Sequence, residues 1–401
     1  MGAPYHEIGP IRPPNEGSDR SLLLRLTRNC PWNRCAFCAT YKGKRFSLRS
    51  IDEIKRDIDA VKTLAEALKA ESWRMGFGGA IRPGVVKAVV ENDPRSYDPE
   101  RIGVEAYAQR LQSLINVADW VSSGAKTVFL QDANSPQMPL EDLVSVLTYL
   151  KNAFPQIERI TSYARSKTIF RKPVDDLVRL REAGLSRIHM GVESGCDEVL
   201  SQIQKGVTGD EHIAAGKKAR EAGLEVCAYV MPGLGGKRLS ERHALETARV
   251  LNEMEPHFIR LRTLVPRLGT PLWEKLRSGE FEALSEDEAV EEIALLIQNL
   301  KCRSYLASDQ VCNLLWAVEG KLPDDKPVML KVINDYLRRP PLERLRIQMR
   351  RRLAAYRMMI GEPEGDLGSM VAIAEGALDH GYPDVGEKVA RALDAIKQFF
   401  I

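Results

Sequence analysis

The sequence predicts an α/β protein with mostly parallel strands. Three observations carry this. Between residues 21 and 265, short apolar runs alternate with segments of helical spacing. Repeated strand–helix units place their strands side by side and parallel. At 401 residues and 44% apolar, the chain can bury a large core without disulfides or a structural metal.

The elements follow in order. Residues 1–20 are rich in Pro, Gly and charge and read as an irregular arm. SLLLRLT (21–27) reads as a buried strand, and residues 51–69 have helical spacing with Ser50 as N-cap and Glu53 three residues on. Residues 76–103, with their Gly and Pro, read as an irregular insertion or long functional loop, followed by a helix over 104–122. The alternation is then plain. Strands are expected at 125–131, 159–164, 186–193, 224–231 and 257–265. Helices are expected at 140–154, 174–184 and 240–254, with helical segments up to about 222. With the first, that makes six strands. Six units are fewer than a closed eight-fold barrel needs, so periodicity alone fits either a partial barrel or a doubly wound sheet. After about 280 the strands are expected to stop, and 282–401 reads as a helical appendage in two pieces. The expected division is thus an arm over 1–20, a core over 21–281 and a helical region over 282–401.

Lys plus Arg number 58 and Asp plus Glu 55, for a net charge of +3. That balance excludes a protein that coats polyanions over its whole surface, while leaving room for a local basic patch. No apolar run approaches the roughly 18 residues of a membrane span. The N-terminus lacks the apolar core of a secretion signal, so the expected compartment is the cytoplasm, with no membrane partner.

Three of the seven cysteines fall within nine residues: Cys30, Cys35 and Cys38, in NCPWNRCAFC directly after the first strand. Three thiolates on one loop can hold three irons of a [4Fe–4S] cluster, leaving the fourth iron open to an outside ligand. A zinc site or three plain thiols are the other readings. Zinc usually takes a fourth Cys or His close at hand, and His6, His189, His212, His243, His257 and His380 are dispersed. Cys196 and Cys227 read as small core residues, and Cys302 and Cys312 have no partners for a second cluster.

The triad after the first strand of a β/α repeat resembles the radical S-adenosylmethionine (SAM) superfamily. That family usually has three residues in the first gap and two in the second, with an aromatic before the third cysteine. Phe37 fits the aromatic position, while the first gap here (Pro31, Trp32, Asn33, Arg34) is one residue longer. The resemblance runs over about 20–280, through VFLQDANSP, GLSRIHMGVESGCDEVLSQIQKGVT, AGLEVCAYVMPGLGG and RLRTLVPRLGTPLWEKLRSGEF. It looks like the branch of oxygen-independent coproporphyrinogen oxidase, the tRNA methylthiotransferases and the elongator catalytic subunit.

This resemblance implies a partial (β/α)6 barrel, a [4Fe–4S] cluster held by Cys30, Cys35 and Cys38, and SAM chelated to the open iron. It implies a one-electron donor such as a ferredoxin or flavodoxin, and reductive cleavage of SAM to a 5′-deoxyadenosyl radical that acts on a substrate not readable here. It also marks cofactor-binding candidates. Gln131 and Asp132 end the second strand, where the family's Gly-rich stretch receives the SAM amino group, although the glycines are missing. Ser162 stands where the family often has a ribose-binding acid, beside Tyr163. Glu193 matches the SAM-contacting Glu or Gln, Lys205 the basic partner of the SAM carboxylate, and Met231 the loop under the adenine. The strand ends carrying Gln131, Glu193 and Met231 are expected to face one mouth with the cysteines.

RRPPLERLRIQMRRR (338–352) holds seven Arg and one Glu. It can bind phosphates of a nucleic acid or an acidic electron donor, though a solvated helix face is favoured. SEDEAVEE (285–292) offers a partner within the chain. With 29 residues before Cys30, no cobalamin domain is expected, nor an RNA-binding barrel after the core, nor ferredoxin motifs. A haem- or cluster-binding relative of coproporphyrinogen oxidase without radical chemistry is the alternative, although that branch's C-terminal His-Asn and Tyr-Trp signature is missing.

Overall fold

The computed structural model describes residues 4–13 and 20–400. Residues 1–3 and 14–19 of the expected arm lie outside the described residues. The chain divides into two compact units: Met1–Asn33 with Thr40–Met190 and Lys218–Val226, and Arg34–Ala39 with Gly191–Lys217 and Cys227–Ile401.

All six expected strands form. They are β1 (Leu22–Arg25), β2 (Thr127–Gln131), β3 (Arg159–Ala164), β4 (Leu185–Glu193), β5 (Glu225–Val230) and β6 (Phe258–Leu261). In the first unit, β1, β2, β3 and β4 pair in that order, all parallel. Every residue of β2 is buried, as expected of a parallel strand covered on both faces. In the second unit β5 pairs parallel with β6, and β6 with a further strand, β7 (Tyr305–Ala307). β8 (Gly320–Lys321) closes on β7 antiparallel. The α/β class is therefore as expected. The strands do not stop at 280, because β7 and β8 have three and two residues, too short to show a period of two.

Helix Ile51–Arg74 starts as expected. Glu53 N donates to Ser50 Oγ (3.2 Å) and Ser50 N to Glu53 Oε2 (2.8 Å), a complete capping box. Ile54, Ile58, Val61, Leu64 and Leu68 form its buried stripe. Residues 76–103 differ from the expected loop. They hold short helices Pro83–Asn92, Pro94–Tyr97 and Pro99–Ile102. Each begins at a proline, whose missing N–H costs nothing at the first helical position. Asp93 and Asp98 cap the second and third through their carboxylates.

Beyond residue 282 the chain is mainly helical, with helices Glu286–Asn299, Lys326–Leu337, Pro341–Met359, Gly365–His380 and Val385–Lys397. The last three bury Leu353, Tyr356, Ala374, Leu378, Leu393 and Ile396 together. Two of the seven arginines of the basic stretch, Arg344 and Arg352, are spent on the acidic run. Arg344 Nε donates to Asp287 Oδ2 (2.8 Å). Buried Arg352 makes a two-pronged bond with Glu286 (3.1 and 2.6 Å) and also reaches the carbonyls of Val311, Cys312 and Asn313. Burial alone would raise the Glu286 carboxyl, but Arg352 and Lys397 outweigh it and hold it at about 2. No helix among the described residues is long and apolar enough to cross a membrane.

Candidate active site

The cysteine loop begins in the first unit. β1 runs into a two-residue ladder, Thr27–Arg28 against Ser47–Leu48, and the chain turns at Asn29 with φ +70°. Asn tolerates this left-handed region better than other non-Gly residues. Asn29 N donates to Asp132 Oδ2 (2.9 Å) and its side-chain amide to Arg45 O (2.6 Å). Asn33, also left-handed at φ +48°, donates to Tyr41 O (2.5 Å) and Lys44 O (3.1 Å). Trp32, between the first two cysteines, lies under the Arg165 guanidinium at 4.8 Å from the ring centroid.

The rest of the loop belongs to the second unit. Cys38 N donates to Cys35 O (3.3 Å), Ala36 N to Ile203 O (2.8 Å), and Leu272 N to Ala36 O (3.0 Å). Ala36 is thereby strapped on both sides. Cys30, Cys35 and Cys38 are half-buried and form no disulfide. Among the described residues, no three His, Cys, Asp or Glu side chains form a group able to hold one metal ion. In a [4Fe–4S] cluster each thiolate takes a different iron, so convergence on a single point is not what the cluster requires. Three partly accessible thiols within nine residues of one loop are a donor set whose chemistry fits it.

Of the other expected residues, the second unit gathers three. Glu193 ends β4 in the left-handed region at φ +64°, a strained place for a non-Gly residue. Its Oε1 accepts from Lys205 Nζ at 3.0 Å, with both side chains nearly buried. Lys205 Nζ also lies 5.8 Å from the centre of the Phe37 ring, next to Cys38. Gly191 makes room for the pair, since a Cβ there would stand 2.6 Å from Glu193 Oε1 and 3.0 Å from Lys205 Nζ. Met231 N donates to Glu193 O (2.9 Å), which places the two loops side by side. Beyond Met231 lies a cleft of about 470 Å³, lined among others by Gly233, Lys237, Leu264, Trp273, Leu276 and Gln348. The Trp273 indole N–H is buried there without a hydrogen-bond partner.

The first unit holds the other three, each engaged by the protein itself. The Gln131 carboxamide clamps the N-terminal arm: Gly9 N donates to Oε1 (2.8 Å), and Nε2 donates to Gly9 O (3.2 Å) and to Ile11 O. Asp132 is fully buried. Its Oδ2 accepts from Arg25 Nε (3.0 Å), Arg25 Nη2 (2.6 Å) and Asn29 N, while Oδ1 has no hydrogen-bond partner. Ser162 Oγ donates to Tyr163 O (2.9 Å) and is buried in β3.

Sequence reasoning passed over two groups. One is the arm: Glu7 receives Arg25 and Arg28 (2.9 and 2.6 Å), and His6 meets Ser113 Oγ (2.7 Å). The other is a buried polar set around His243 and Glu292. Each of these two stands on the apolar stripe of its helix, beside Leu239, Thr247 and Leu251 or Ala289, Ile293 and Leu296. A polar residue on such a stripe is the signal that marks them.

Residues 93–248 match the family model described as the Radical SAM superfamily. That span contains Gln131 through Met231 and begins after the cysteine loop. Over 99 residues the chain is 39% identical to biotin synthase of Pelotomaculum thermopropionicum, covering 25% of this chain and 30% of that protein. Over 124 residues it is 26% identical to tRNA uridine(34) acetyltransferase of Methanocaldococcus infernus, covering 31% and 23%. The chain thus matches less than a third of the length of these relatives. Among solved structures, coproporphyrinogen III oxidase of Escherichia coli aligns over 71% of this chain and 54% of its own, at 15% identity and TM-score 0.40.

Proposed function

From the match of residues 93–248 to the Radical SAM superfamily model, we propose that this chain is an enzyme that cleaves SAM reductively at a [4Fe–4S] cluster held by Cys30, Cys35 and Cys38. The proposal takes residues 21–281 as a partial (β/α)6 core and 282–401 as a helical C-terminal region. Bound there, the cluster and SAM supply one-electron cleavage of the sulfonium and a 5′-deoxyadenosyl radical that takes hydrogen from substrate.

The observation that carries this reading is the joining of Glu193, Lys205 and Phe37 beside Cys38. Lys205 is a nearly buried cation whose partner is a carboxylate. A ligand carboxylate can take that place and form a charge-assisted bond. Glu193 then remains close by to accept from the ligand's ammonium group. Met231–Gly233, tied to Glu193 by its backbone, is the surface for the adenosine end. The cleft beyond it is within the usual size of a small-molecule pocket and is the space for substrate. Gln131, Asp132 and Ser162 serve through their backbone, since their side chains are engaged within the protein. The electron comes from a small donor such as a ferredoxin or flavodoxin. RNA is the less favoured substrate, because Arg344 and Arg352 of the basic stretch are paired in-chain.

Anaerobic reconstitution tests the reading. About four irons per chain are expected, and dithionite with SAM should yield 5′-deoxyadenosine and methionine. The Cys30→Ala/Cys35→Ala/Cys38→Ala variant is the blank. A full cluster in that variant refutes the ligand assignment. No 5′-deoxyadenosine above the blank, whatever the donor, favours instead a non-catalytic haem- or cluster-binding protein. Release of 5′-methylthioadenosine means that a different C–S bond breaks, in line with the longer first gap.

A further inference from the structure

The loops that leave β4 and β5 are held by side chains that the proposed chemistry does not use. His243 lies in helix Gly236–Met254 and Glu292 in helix Glu286–Asn299, and both are buried. Ser194 Oγ accepts from Cys196 N (3.0 Å), which leaves its O–H to donate to His243 Nδ1 (2.8 Å). With Nδ1 accepting, the ring proton sits on Nε2, which donates to Met231 O (3.1 Å); the tautomer is thus assigned from the bonds around it. Glu292 Oε1 accepts from Gly233 N (2.6 Å) and its Oε2 from the Ser240 hydroxyl (2.5 Å). Glu292 Oε1 also stands 3.6 Å from His243 Nε2.

The outcome is specific. Met231 N is held by Glu193 O, Met231 O by His243, and Gly233 N by Glu292. Three consecutive residues, Met231–Gly233, thus have their backbone fixed from two helices and from the end of β4. Burying an imidazole and a carboxylate is costly unless both are bonded. An all-apolar contact would pack these helices as well, but it could not orient a carbonyl and an N–H.

We propose that His243 and Glu292 are positioning residues that set Met231–Gly233 for the adenosine end of SAM, acting through the loop without touching the ligand. This rests on the reading that the loop receives SAM. Because the brace holds the adenosine side and Lys205 the carboxylate side, the two ends of the ligand separate them.

The test uses reconstituted full-length protein and competition against labelled SAM by 5′-deoxyadenosine and by methionine. His243→Ala is expected to weaken SAM and 5′-deoxyadenosine by tenfold or more, with methionine competition and iron content unchanged. His243→Gln, which can restore a donor to Met231 O, should recover most of the loss. Lys205→Ala should do the reverse, weakening methionine and sparing 5′-deoxyadenosine. If His243→Ala does not fold, Ser194→Ala carries the test, since it removes the shorter of the two hydroxyl contacts to His243 Nδ1 (2.8 Å, against 3.5 Å from Thr247 Oγ1); the same selective loss is expected. Unchanged 5′-deoxyadenosine affinity overturns the brace, as does equal loss of both fragments, which marks a merely structural role. Wild-type protein that loads a cluster but binds no SAM overturns the reading beneath it instead.

Discussion

At the scale of single residues, Lys205 and Asp132 illustrate two uses of a buried charge. Lys205 Nζ pairs with the Glu193 carboxylate at 3.0 Å, and a ligand carboxylate that meets the same cation forms a charge-assisted bond. A charge-assisted hydrogen bond is worth roughly 1.5–3 kcal/mol, or about 10- to 150-fold in affinity. Lys205→Ala is therefore expected to weaken SAM binding by that factor while iron content stays whole; titration of the loaded protein reads it. Asp132 has its Oδ2 filled by Arg25 and by the N–H of Asn29, the residue before Cys30. Removing one side of such a buried pair costs about 3–5 kcal/mol. Asp132→Ala should lower the urea midpoint and the iron retained, with SAM affinity of the loaded fraction unchanged. A fall in SAM affinity at full iron content would make the Asp132 side chain, and not only its backbone, a ligand contact.

At the scale of elements, the N-terminal arm is the unexpected part. Its residues 4–13 form no helix or strand, yet Gln131 bonds both backbone groups of Gly9, and Glu7 binds Arg25 and Arg28. Gly9 is needed for close approach. A Cβ there would stand 2.5 Å from Asp132 Oδ1, and that carboxylate cannot swing away from its three donors. Gly9→Ala should therefore loosen the arm at a cost of about 1–3 kcal/mol, read as faster protease cleavage near residue 9 and a lower melting temperature. An unchanged cleavage rate would show that the carboxylate yields.

At the scale of the whole molecule, two buried groups set the acid limit of stability. Burial, with help from the Arg49 charge, lowers the His6 imidazole from 6.5 to about 4. The unfolded chain then binds the proton first, so this contribution is complete above pH 6.5 and is lost as pH falls towards about 4. Glu286 is depressed from 4.5 to about 2, because Arg352 and Lys397 outweigh its burial. Its contribution is present above about 4.5 and is lost as pH falls towards 2. Each shift corresponds to roughly 3 kcal/mol at most. Urea unfolding from pH 7 to 3 should show stability falling in both windows. His6→Asn should flatten the upper window and Glu286→Gln the lower. If neither variant changes its window, the acid loss has another source.

The sequence alone determined the class of this protein, the six strands of its core and the cysteine loop that follows the first of them. Period and spacing are local properties: a buried parallel strand must be apolar wherever it pairs, and three thiols within nine residues share one loop in any fold. The capping box at Ser50 was legible for the same reason. The short helices after Pro83, Pro94 and Pro99 were obscured by their glycines and prolines, and β7 and β8 by their length. Only the tertiary structure decided what the buried polar groups face. Glu193 and Lys205 lie twelve residues apart in sequence, near enough for spacing to pair them. Gln131 meets Gly9 across 122 residues, and Glu292 meets Gly233 across 59. Such partners leave no periodic trace, because a hydrogen bond needs one donor at one place and constrains nothing about the residues between.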